Sequence, residues 1–299
     1  MKTRQGDKWS AWLLSRRFGG DPKRLQAMLE TLRPVRERVL DNARLNGRDV
    51  LLDVGCGDGF IAFGALERLP TCRAVLSDIS PDLLDQARQV AEALGFLNRC
   101  RFVRAEAETL APIADESVDV VTTRSVLIYV ADKQAAFNAF YRVLKPGGRF
   151  SLFEPINRFG HPEPDNRFWG YDVSPVADLA RKLKALYRRL QPPDSDPMLN
   201  FDAWDLVEFA ERAGFEDIHL EVETSTKPKA PQRWATFVRS AGNPKIPTLE
   251  EAMKEVLTPA EREAFTAHLR PLVETGQGRT KMAVAYVWGQ KDKGADGHV

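Results

Sequence analysis

The chain has 299 residues, 43% of them hydrophobic, enough to bury one large core or two modest ones. Its 43 Lys and Arg against 42 Asp and Glu leave a net charge of +1, without the clustered basic excess that neutralising a phosphate backbone requires. No run approaches the ~20 uninterrupted apolar residues of a membrane span, and the charge-broken start MKTRQGDKWSAWLLSRRFGG lacks a secretory leader's apolar core and cleavage site. A cytoplasmic chain with neither a membrane nor a nucleic-acid partner is expected. Cys56, Cys72 and Cys100 cannot build a disulfide framework, and the histidines show no short ligand spacing, so no metal site is expected.

In chain order, residues 1–48 read as a helical extension, with one helical stretch carrying Trp9 and Trp12 and a second through 23–44. Strands follow at 49–55, 74–78, 101–105, 118–124 and 149–155, each the near-continuous apolar run expected where helices cover both faces of a sheet. Helices fill the gaps at 59–69, 81–95 and 132–144. The second has explicit start signals, with Ser80 at the N-cap and Pro81 at the first helical position, and the third stops at Pro146 and Gly147. A helix at 202–213 and candidate strands at 216–224 and 281–289 complete the pattern. Strand–helix alternation of this kind gives an α/β fold with a doubly wound, mostly parallel, seven-stranded sheet.

The expected organisation is a core at 49–155, a lid insertion at 156–200, completion of the sheet over 201–290 around a helical insertion at 227–280, and a flexible tail at 291–299. Seven of the nineteen prolines fall between Pro155 and Pro197, so the first insertion is expected to be irregular and lid-like.

The segment with the strongest chemical signal is Leu51-Leu52-Asp53-Val54-Gly55-Cys56-Gly57-Asp58-Gly59. A buried strand ends in glycines, which suit a turn at φ > 0 and close approach of a ligand to backbone, and a helix N-terminus with unpaired N–H groups follows. A dinucleotide fingerprint would place its third small residue at position 60, which is Phe60; the third glycine is Gly59. The next strand ends in Asp78, an acid positioned to accept ribose hydroxyls.

The D-x-G-x-G-x-G spacing resembles motif I of the class I S-adenosylmethionine-dependent methyltransferases. The likeness continues through Ala105-Glu106-Ala107-Glu108-Thr109-Leu110, through Ser117–Val130 and through Arg142–Gly148, covering about residues 48–155 in the family's order. It implies a Rossmann-like core that binds S-adenosylmethionine. Asp53, Gly55, Gly57 and Gly59 would form the loop at the methionine end, Asp78 would bind the ribose and Ile79 would pack on the adenine. Glu106 and the backbone N–H of Ala107 would contact the adenine edge.

Ligands of open α/β sheets bind beyond the carboxyl ends of the strands, which puts Arg124, Tyr129 and Glu154 on the rim as candidate catalytic groups. Arg124 could clamp the cofactor's carboxylate or an anionic substrate, and Glu154 could take a proton. Asn157, Arg158, Phe168, Trp169 and Tyr171 of the lid are the candidate substrate contacts. The implied reaction is methyl transfer to a small molecule by in-line displacement. RNA or protein methylation and a non-methylating cofactor-binding role are the alternatives. Against base methylation, the fourth strand ends in Thr122-Thr123-Arg124-Ser125 where an N/D-P-P-Y/F sequence would be expected.

Overall fold

The structure is a computed structural model that describes residues 7–11 and 22–293. Trp12 and residues 294–299 of the expected tail lie outside the described residues. The chain divides into two compact units. A core unit holds Glu30–Ile156, Phe201–Glu223 and the chain from Val284, and an accessory unit holds Asn157–Asn200 and Thr224–Ala283 with the described residues before Glu30.

In chain order the regular elements are α1 (Pro22–Asn42), β1 (Val50–Val54), α2 (Phe60–Arg68), β2 (Arg73–Asp78), α3 (Pro81–Ala93), β3 (Cys100–Arg104), β4 (Val118–Arg124), α4 (Lys133–Val143) and β5 (Leu144–Pro155). They continue as α5 (Ala177–Leu190), α6 (Ala203–Ala213), β6 (Phe215–Pro228), α7 (Trp234–Val238), α8 (Leu249–Val256), α9 (Pro259–Glu274) and β7 (Arg279–Lys291). The seven strands form one sheet in the order β3-β2-β1-β4-β5-β7-β6. β1 to β5 pair in parallel, and β7 pairs antiparallel with β5. The strand order reverses between β1 and β4, so the loops after these two strands diverge and open the crevice where such sheets bind ligands.

The start signals act as read. The Ser80 side chain accepts from the Leu83 N–H at the head of α3, and Asp202 and Asp205 form a reciprocal capping box on α6. At the end of α4 the helix stops at Val143, but Lys145-Pro146-Gly147 belong to an irregular, bulged beginning of β5 rather than to a connecting loop. Gly147 there has φ of 73°.

Two expectations about organisation are corrected. The extension is not separate up to residue 48: from Glu30 the chain belongs to the core unit, where Val39, Leu40 and Ala43 are buried with Leu51, Ile61, Leu66 and Ala87, their i, i+1, i+4 spacing making one apolar stripe. The two insertions are not separate either. Phe168, Leu183 and Leu186 of the first are buried with Phe237, Leu249, Phe265 and Leu269 of the second in a single core. The first is also less irregular than its prolines suggest. Those prolines flank α5, a fourteen-residue helix they leave uninterrupted.

Among the described residues no helix is long and apolar enough to cross a membrane, and no group of His, Cys, Asp and Glu is placed to hold a metal ion. All three cysteines are free thiols; burial raises Cys72 and Cys100 to about 11.

Candidate functional site: the carboxyl edge of the sheet

The glycine loop is built on β1 and opens α2. Gly55, Gly57 and Gly59 have φ of 63°, 55° and 86°, the left-handed region that residues with a Cβ avoid. At Gly55 the restriction is also steric, since a Cβ there would come within 2.4 Å of Val126 Cγ2. The loop is tied down from both sides. The Cys56 N–H donates to the Ser77 carbonyl at 2.9 Å, and the Gly57 N–H donates to Asp78 Oδ2 at 3.0 Å.

Asp53 sits at the end of β1, only 2% exposed. One of its oxygens accepts from Thr122 Oγ1 at 3.1 Å and the other from the Ala62 N–H at 3.2 Å. Burial raises its pKa to about 7, against these two bonds and the Arg124 charge, which lower it. Asp53 therefore joins β1, α2 and β4 beneath the loop, and its carboxylate faces inward.

Asp78, at the end of β2, accepts from the Gly57 N–H and, through Oδ1, from the Ser80 N–H at 2.9 Å. The next residue, Ile79, is 42% exposed, an apolar side chain left in water beside a charged one. The Ala105 N–H donates to the Asp78 carbonyl at 3.2 Å, which fixes the start of the loop after β3. There Glu106 is exposed and Ala107 is buried.

The loop after β4 carries the other half. Glu154, at the end of β5, is wholly buried. Oε1 accepts from the Val126 and Leu127 N–H groups at 2.9 and 3.0 Å, and Oε2 from the Ile128 N–H at 3.3 Å. Burial pushes its pKa up to about 7, opposed by those three donors and by the nearby Lys133 charge. This corrects the expectation of a proton-accepting base on the rim. The carboxylate has no exposed surface, and it orders the 126–128 turn, which in turn abuts Gly55.

Arg124 and Tyr129 are half-buried at either end of that turn. The Arg124 guanidinium lies over the Phe60 ring at 5.8 Å. Sequence reasoning missed Thr122, Phe60 and Val126 as parts of this site. Their contribution is visible only once β1 and β4 are known to be neighbours. Thr123, also buried, has a hydroxyl without a hydrogen-bond partner.

The site thus has a glycine-rich turn at positive φ, an acid bonded to that turn, an exposed apolar residue beside it and a neighbouring acidic loop. That donor set fits S-adenosylmethionine. Residues 45–177 match the family model described as a methyltransferase domain. The ubiquinone/menaquinone biosynthesis C-methyltransferase UbiE of Klebsiella pneumoniae is 33% identical over 179 residues, which are 58% of this chain and 68% of that protein. The chain belongs to the class I S-adenosylmethionine-dependent methyltransferases.

Some other curated methyltransferases match over less of their own length. Against the UbiE proteins of Cereibacter sphaeroides the alignment takes in 47% of the relative, so the chain spans about half the length of those curated relatives. The tRNA 5-carboxymethoxyuridine methyltransferase of Escherichia coli K12 is 34% identical over 34% of this chain and 38% of its own. Among solved structures, the YcgJ protein of Bacillus subtilis aligns with a TM-score of 0.53 at 17% identity, covering 87% of this chain and 98% of that one. That likeness concerns the fold.

The candidate substrate contacts fall in the accessory unit. Phe168 and Tyr171 are each only 1% exposed and form its core, a correction for Tyr171, whose ring packs edge-on against Phe237 at 5.7 Å. They were expected to face a substrate. Burial of large rings is instead what lets so small a unit hold together. Phe168, Trp169 and Asn157 line a cavity of about 490 Å³, and Arg158 is exposed in the short helical turn Asn157–Gly160.

Proposed function

We propose that the protein transfers the methyl group of S-adenosylmethionine to a small-molecule acceptor. The observation that carries the reading is the coupling of three positive-φ glycines to Asp78 through the Gly57 N–H, which prepares one loop for both ends of a nucleoside ligand. Gly55, Gly57, Asp78, Ile79, Glu106 and Ala107 would hold the cofactor, which supplies an electrophilic methyl on a good leaving group.

The chain's own contribution is placement. Asp53 and Glu154, both buried and hydrogen-bonded, lock the loops after β1 and β4. A fixed geometry of this kind supplies much of the rate when two reactants need only be held in line. Glu154 is a positioning residue. Arg124, which among the described residues has no ion-pair partner, is the cation available for a carboxylate of cofactor or acceptor. Tyr129 lies half-buried on the same rim.

The small-molecule acceptor is supported by the balanced charge and by Thr122-Thr123-Arg124-Ser125 where base methylation would call for another sequence. A relative named for ubiquinone/menaquinone biosynthesis agrees with it. The tRNA-modifying relative supports the rival acceptor. Incubation with methyl-labelled S-adenosylmethionine and, separately, a small-metabolite extract and bulk tRNA discriminates the two. Label is expected in the metabolite fraction; label in tRNA alone would overturn the acceptor assignment.

A further inference from the structure

The cavity of about 490 Å³ in the accessory unit falls within the ordinary size range of small-molecule sites, roughly 300–1,000 Å³. All its lining residues belong to that unit, and none is a residue of the glycine-loop site.

One wall is aromatic and rigid. Trp169 stacks on Phe168 with ring centroids 4.9 Å apart and meets Tyr187 and Phe237 at 5.5 and 5.6 Å. Its backbone has φ of 49°, a conformation a bulky residue adopts only under constraint. The constraint is Glu163, whose two carboxylate oxygens accept from the Trp169 and Gly170 N–H groups, each at 2.7 Å. The indole is therefore held in place before anything binds.

The lining is also cationic. Lys184 and Arg188 lie one turn apart on α5 and both line the cavity, joined there by Lys229. Like charges at i, i+4 repel, and among the described residues Arg188 has no acidic partner. Burial holds the Lys184 ammonium below its ordinary pKa, with Glu163 and Asp165 acting the other way and the adjacent Arg188 charge adding least; the ammonium also donates to the Pro164 carbonyl at 2.6 Å. The acid that lines the cavity, Glu163, is already engaged by two backbone donors.

We propose that this cavity binds a flat, apolar small molecule carrying an acid group, the rings against Trp169 and Tyr187 and the acid toward Arg188 and Lys184. The assignment goes beyond methyl transfer and stands whether or not the bound molecule is the acceptor. An arginine fork matches a carboxylate, sulfonate or phosphate edge, and a fixed aromatic platform lowers the ordering cost of binding.

The test uses two dyes with the same rings, 1-anilinonaphthalene-8-sulfonate and the uncharged N-phenyl-1-naphthylamine, titrated into the full chain by fluorescence. One saturable site per chain is expected for the sulfonate, about tenfold tighter than for the neutral dye, the ratio set by one charge-assisted contact. Arg188→Glu, at an exposed position, should abolish that preference without moving the melting temperature, and Lys184→Gln should weaken it. Equal affinity for the two dyes, absence of a saturable sulfonate site, or an unchanged preference in Arg188→Glu would overturn the proposal.

Discussion

The Gly57 N–H and the Asp78 carboxylate meet across 3.0 Å, joining the turn after β1 to the end of β2. The contact gives Asp78 two duties. As proposed, it would accept the ribose hydroxyls, and it fixes the Gly57 peptide that would lie close to the cofactor. A substitution there removes both, so affinity should fall by more than the loss of direct hydrogen bonds alone.

Gly55 and Val126 are predicted to be energetically coupled. Gly55→Ala meets both a positive φ and a Cβ contact of 2.4 Å to Val126 Cγ2, and should cost about 1–3 kcal/mol, as overpacking does. Val126→Ala relieves the clash and leaves the φ penalty. Urea denaturation of both singles and the double should show the pair less destabilised than the sum by about 0.5–2 kcal/mol. Strict additivity would mean the two loops do not touch.

Glu154 should impose a pH dependence on stability. Its pKa is raised by burial from 4.5 in the free side chain to about 7, so the folded state binds the extra proton. Its contribution is then greatest below pH 4.5 and is lost as pH rises through about 7, with a limiting slope of about 1.4 kcal/mol per pH unit between them. Glu154→Gln removes this titration. Wild type should lose stability relative to Glu154→Gln from pH 5 to 7 and run parallel to it above pH 8. The opposite slope would mean that the three N–H donors outweigh burial and keep the carboxylate charged.

The strand and helix order was legible because the parallel strands are largely apolar runs and α3, α4, α6, α8 and α9 each begin at a residue whose side chain caps the first turn. The glycine turn and Asp78 were legible because their spacing is local. The role of Glu154 was not. Its partners, Val126 to Ile128, lie some twenty-six to twenty-eight residues away, and nothing in a sequence says whether a strand-end carboxylate meets solvent or backbone N–H groups. The shared core of the two insertions was hidden for the same reason. Phe168 and Phe265 stand 5.7 Å apart, with α6 and β6 between them in sequence.

That shared core yields a third prediction. Phe265 is fully buried, and Phe265→Ala should cost about 3–5 kcal/mol by leaving a cavity. Because the core unit has its own buried cluster, the loss should be confined to the accessory unit. Hydrogen exchange should quicken across 157–200 and 224–283 while β1 to β5 stay protected. Uniform loss of protection through both segments and the sheet would show a single cooperative core.

The central claim is that the loop of Gly55, Gly57 and Asp78 is the S-adenosylmethionine site. Calorimetric titration of S-adenosylhomocysteine into the wild type and Asp78→Ala tests it most directly. The wild type should bind one equivalent, and Asp78→Ala should bind at least about tenfold to a hundredfold more weakly, the loss expected for hydrogen bonds to a charged group before the loosening of the Gly57 peptide is added. Circular dichroism should show the variant still folded. Unchanged affinity in a folded Asp78→Ala, or no binding by the wild type, would contradict the account.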